Sequence, residues 1–143
     1  MAAVFFDTLS LFKSCKRRFG GKLDYRALLA HIADRFKIER CAAYVLANGQ
    51  EAPFVTALQA AGVNEIVLCN EYEIGSLLAV DLLTDQRLAL VVVTADPQFT
   101  RLFKAVVEDQ DMGADIDLFV YTPDPLIVPK GLACIRLTEE FLI

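Results

Sequence analysis

The sequence predicts an α/β fold built on a mainly parallel sheet with helices on both faces. Two observations predict it. Short apolar runs of strand character, at residues 2–6, 41–46, 65–68, 88–93 and 117–121, alternate with longer segments whose apolar residues recur every three or four positions. One of these runs, LALVVV at residues 88–93, is apolar without interruption, as a strand buried on both faces reads. Strands joined by helical crossovers return in the same direction and with a right-handed connection, so the sheet should be mostly parallel.

The elements follow in order. The first strand ends at Asp7, and Thr8 and Ser10 are cap-competent residues ahead of a short helix over residues 9–18. Leu9, Phe12 and Phe19 fall near one face of that helix, Lys13, Lys16 and Arg17 fall largely elsewhere, and Gly20 and Gly21 end it. Asp24 is an N-cap for YRALLAHIADRF, in which Leu28, Leu29, Ile32 and Phe36 keep helical spacing. After the second strand and a loop at residues 47–51, Pro53 opens a helix through Ala61 that Gly62 stops. Residues 74–85 form a helix that is apolar nearly all round. At about 100° per residue, Ile74, Leu77, Leu78, Asp81 and Asp85 share one stripe, which turns two carboxylates toward the sheet unless they lie near its solvated end. Beyond the strand at 88–93, Asp96 and Pro97 mark the start of another helix. Residues 108–115 read as an acidic solvated linker, PDPLIVPKG as a proline-punctuated surface segment, and residues 132–143 as a last strand or a short helix, with a terminal helix from Thr138 expected.

Composition bounds the function. A chain of 143 residues that is 55% hydrophobic, with mean hydropathy +0.42, can fill one core and is too short for two ordinary domains, so residues 1–143 are expected to be a single domain. No run approaches the ~20 apolar residues of a membrane span, and MAAVFF has no basic region before it, so a soluble cytoplasmic protein without a membrane partner is expected. Cys15, Cys41, Cys69 and Cys134 form no CxxC pair, which argues against zinc and redox motifs and suits a reducing compartment. His31 is the only histidine and sits in an amphipathic helix, so catalysis by Ser/His or Cys/His has little to stand on. Any chemistry falls to carboxylates. The charge of −5 is unevenly spread, with residues 1–40 at net +5 and the rest at −10. A basic segment on an acidic protein is either a solvated helix surface or a phosphate-contacting face.

Asp7 and Asp96 repeat one arrangement: a strand, a carboxylate, then a helix start. Each is explained as an N-cap, yet ligands of open α/β sheets collect outside the carboxyl ends of the strands, where both residues stand. With Asp81 they would make an oxygen-only set of the kind that suits Mg²⁺ or Mn²⁺. A haloacid-dehalogenase phosphatase fits poorly, since its second aspartate would fall at Leu9, and no GxGxxG or GxxxxGK stretch supports nucleotide binding.

The stretches AVFFDTLSLF, GGKLDYRALL, LLAVDLL and VVVTADPQFT resemble the NYN (LabA-like) branch of the PIN-like nuclease fold over residues 3–121, and RLTEEFLI is similar to that family's C-terminal end. The resemblance implies a Rossmann-like three-layer α/β/α sandwich and divalent-metal-dependent cleavage of RNA. By it, Asp7 matches the aspartate after the first strand, Asp81 an aspartate within the middle helix, and Asp96 the first aspartate of the serine-glycine-aspartate turn. Three departures accompany it: Ser10 stands where the family usually has Asn, Gly75 where it has a metal-facing Asp, and Gln98 where it has a second Asp. The expectation is therefore a degenerate NYN/PIN-like domain that binds RNA or protein, often as a dimer, with little nuclease activity. The alternative is a single-metal ribonuclease in which Asp7, Asp81 and Asp96 converge on Mg²⁺ or Mn²⁺ and perform catalysis. Ser10, Thr94, Lys13, Lys16, Arg17 and Arg18 are then the expected substrate contacts.

Overall fold

The structure, a computed structural model, describes residues 1–85, 89–108 and 117–143. Its elements are β1 (Ala2–Asp7), α1 (Thr8–Phe19), α2 (Tyr25–Ala33), β2 (Ile38–Leu46), α3 (Ala52–Ala61), β3 (Glu65–Cys69), α4 (Ile74–Thr84), β4 (Ala89–Val93), α5 (Phe99–Glu108), β5 (Asp117–Thr122) and β6 (Ala133–Arg136). The six strands form one sheet in the order β3-β2-β1-β4-β5-β6, every pair parallel. From β1 the chain winds outward through β2 and β3, then returns to the centre at β4 and winds the other way. The reversal between β1 and β4 leaves a crevice at their carboxyl ends, the position at which doubly wound sheets hold ligands.

Alternation along the strands builds two cores. Val4, Phe6, Val91 and Val93 point to the side covered by Leu11 and Cys15 of α1, Leu28 and Ile32 of α2, and Leu58 of α3. Phe5, Val92 and Val120 point to the other side, against Ile74, Leu78 and Leu82 of α4 and Phe99 and Phe103 of α5. This is the three-layer α/β/α sandwich. All six residues of β1 are buried, as a central strand flanked by β2 and β4 requires. Among the described residues, no helix is long and apolar enough to cross a membrane.

Several elements differ from expectation for physical reasons. Helix α1 turns Leu11, Ser14 and Cys15 inward and leaves Phe12 49% exposed beneath the Lys16 ammonium, because the helix starts at Thr8 directly off β1. β2 begins three residues earlier than its apolar run, since Arg40 occupies a sheet-facing position with its charge matched there. The C-terminal segment supplies a sixth strand instead of a terminal helix. Beyond Thr138 the described residues form a single 3₁₀ turn, Glu139–Phe141, with Leu142 N donating to Glu139 O at 3.1 Å and Ile143 N to Lys22 O at 2.9 Å, a backbone tie to the loop after α1 that takes the place of helical bonds. The acidic stretch after Glu108 and the start of the run at Leu88 lie outside the described residues.

Candidate functional site

Asp7 is the last residue of β1 and the N-cap of α1 at once. Its Oδ1 accepts from Ser10 N (3.3 Å) and its Oδ2 accepts from the Thr94 hydroxyl (2.8 Å). The Thr94 and Ser10 hydroxyls stand 3.2 Å apart, and Ser10 Oγ also donates to Asp7 O (3.3 Å). Ser10 Oγ also accepts from Ala95 N (3.0 Å), and Thr94 Oγ1 from Asp96 N (3.1 Å). These bonds lace the turn after β1 to the turn after β4 across the switch point. Asp96 lies one turn ahead of α5, and its Oδ1 accepts from Gln98 N (2.9 Å), so it caps the turn that leads into the helix.

Asp7 is 2% exposed. Burial holds its carboxyl above the usual 3.8; the hydrogen bonds from Ser10 and Thr94 oppose that rise, and Asp96 adds a smaller push in the same direction. A carboxyl raised in the folded state contributes stability that is fully present below about pH 3.8 and is lost as pH rises through the folded value. Asp7→Asn keeps a good N-cap and, with Thr94 turned to accept, removes the buried charge. The variant should therefore melt above the wild type at pH 7, with the gap closing as pH falls toward 4. Thermal melts of both proteins across that range check it, and a gap that is constant with pH would count against a strained carboxylate.

The crevice opens as a cleft of about 850 Å³ lined by Asp7, Ser10, Lys13, Ser14 and Arg17 from the β1–α1 side, Glu71 and Gly75 from the entry to α4, Asp96 and Gln98 from the turn after β4, and Asp124 from beyond β5. Of the four basic residues expected to contact substrate, Lys13 and Arg17 line it. Arg18 is paired with Asp124 (3.3 Å), and Lys16 lies over the Phe12 ring (5.7 Å). His31 is elsewhere, edge-on to Tyr121 and Phe141.

Asp81 does not join Asp7 and Asp96, which corrects the expectation that the three converge. It lies seven residues into α4, roughly 10 Å down the helix axis from Ile74, over the body of the sheet. There it accepts a very short hydrogen bond from the Tyr44 hydroxyl and stands 3.9 Å from Arg40. The Arg40 guanidinium forks Glu65 through Nε (2.6 Å) and Nη2 (3.1 Å), donates to Asp85 through Nη1 (3.1 Å), and lies over the Phe5 ring. Burial, reinforced by the Asp81 hydrogen bond, raises the Tyr44 hydroxyl so that it remains a donor. The inward carboxylates of α4 are thus neutralised by a strand arginine. Nothing in the apolar pattern announced this, although Arg40 keeps the same alternation as Ala42 and Tyr44 and stands among the strand's inward positions.

The sequence profile of the NYN domain matches residues 1–123. The chain belongs to the NYN domain family. That family is nuclease-like, and the sandwich described above is its PIN-like fold. Among solved structures, a protein of unknown function from Vibrio parahaemolyticus superposes with a TM-score of 0.78 at 17% identity, covering 99% of this chain and 95% of that one, which is a likeness of fold. No curated protein matches the sequence.

NYN and PIN nucleases use divalent metals, and the donor set here fits one poorly. Among the described residues, no three carboxylate, histidine or thiol groups are close enough to share an ion. Gly75 and Gln98 line the cleft and bring no carboxylate to it, so of the acidic positions of the family only Asp7 and Asp96 stand there.

Proposed function

We propose that this NYN domain binds single-stranded RNA in the cleft and leaves it largely uncut. One observation carries the reading: of the three aspartates expected to converge, Asp7 and Asp96 line the cleft and Asp81 is tied to Arg40, while the remaining acidic positions of the family are Gly75 and Gln98. A phosphodiester attack needs charge stabilised on both the entering and the leaving oxygen, and this donor set offers little for either. Binding asks for less. Lys13 and Arg17 line the same cleft with no ion pair of their own among the described residues, so their charge is available to phosphates.

The test is fluorescence anisotropy on a labelled single-stranded RNA across a salt series. Lys13→Ala/Arg17→Ala should weaken binding at least tenfold, and the slope of log affinity against log salt should flatten by about 1.4, about 0.7 for each phosphate that is no longer neutralised. Arg18→Ala, whose charge is matched by Asp124, should change affinity less than twofold. Equal weakening by all three substitutions would point to a diffuse basic surface in place of the cleft.

A further inference from the structure

We infer that the cleft is built to take a terminal phosphate monoester of a nucleic-acid strand, held by Lys13 and Arg17 with the Ser14 hydroxyl completing the site; this rests on the RNA-binding reading above. Ser10, Lys13, Ser14 and Arg17 are spaced so that they share one face of α1, and all four line the cleft. Ser10 is already engaged by Thr94 and by Ala95 N. Ser14 is different. It is 3% exposed, and among the described residues its Oγ makes no hydrogen bond, although a helical serine can bond back to the carbonyl one turn earlier. A buried hydroxyl beside a cleft, with no partner among the described residues, suits a ligand oxygen.

Charge and shape select the ligand. Lys13 and Arg17 are one turn apart and carry two positive charges with no acid paired to either among the described residues. An internal phosphodiester brings one negative charge, whereas a monoester carries about −1.5 to −2 at neutral pH and matches both. The Ser14 hydroxyl has almost no accessible surface of its own, so only a narrow tip that parts its neighbours would meet it. A terminal phosphate presents three free oxygens at its tip, but an internal one is held off by the chain on both of its ester oxygens. From Asp7, α1 runs away from the aspartates, so the anion spot and the acidic turn are separated along one helix. The nearby Asp124 carboxylate is matched by Arg18.

The experiment uses the full chain and three internally labelled hexauridylates: one with a 5′-phosphate, one with a 3′-phosphate and one with hydroxyls at both ends. Anisotropy should show at least tenfold tighter binding of one phosphorylated form, which also tells which end is read, and millimolar inorganic phosphate should compete with it. Arg17→Ala should remove the preference, and Ser14→Ala should reduce it severalfold while melting no lower than the wild type, since alanine suits a helix and the hydroxyl has no partner to lose. Equal affinity for all three RNAs overturns this inference and leaves RNA binding standing; no binding to any of them overturns the RNA reading itself. A Ser14→Ala protein that keeps the full preference, or melts well below the wild type, contradicts the role given to that hydroxyl.

Discussion

Arg40→Met lowers the free energy of unfolding by about 2–4 kcal/mol, measured by urea denaturation, because it removes a cation that serves Glu65, Asp81 and Asp85 together. The loss stays below the full cost of breaking a buried pair, since the Arg40 side chain is 22% exposed and that of Glu65 43%. Asp85, with its side chain 1% exposed, dominates it. Methionine keeps the apolar stem over Phe5, so packing changes little. A rescue separates charge from packing: Asp85→Asn should recover about half of the loss in the Arg40→Met background while destabilising the wild type, a coupling that a double-mutant cycle reads directly. Additive effects would mean that the cluster is not one electrostatic unit.

Gly75→Asp with Gln98→Asp should raise Mg²⁺ affinity at least tenfold, seen by calorimetry and as a Mg²⁺-dependent rise in melting temperature larger than that of the wild type. Space is not the obstacle. A side chain added at Gly75 meets nothing within 4 Å, and its φ is not positive. Position favours the change as well, because α4 has no acidic residue in its first turn and no side-chain cap. Gly75→Asp alone should stabilise the protein by about 0.5–1 kcal/mol, as a better helix former and a negative charge at a helix N-terminus. If the double variant binds Mg²⁺ no better than the wild type, the missing carboxylates are not what limits the site, and the geometry of Asp7 and Asp96 is.

Much of this was legible in the residues. Strand-like runs alternating with helical periodicity pointed to the parallel sandwich, and the recurring strand–carboxylate–helix start placed Asp7 and Asp96 on one crevice. What escaped has common causes. Helical spacing tells which face Asp81 is on but not how deep along the helix it meets the sheet, and depth decided that it would find Arg40 and Tyr44 in place of Asp7. Arg40 itself was hidden because a charged residue inside a strand reads as its boundary until its partners, Glu65 and Asp85, are known. The four residues of β6, ACIR, are too few and too mixed for any periodicity to show. Ser14 gave no signal at all: a serine in an amphipathic helix is unremarked until its hydroxyl proves buried and without a partner.

Whether the cleft holds RNA without cutting it is read in one tube. Wild-type protein is mixed with a labelled single-stranded RNA in Mg²⁺ and then in Mn²⁺, anisotropy is followed, and the same sample is resolved on a denaturing gel. Saturable binding with the RNA intact over hours is the expected result. Rapid cleavage that disappears in Asp96→Asn would contradict it and make the protein a ribonuclease.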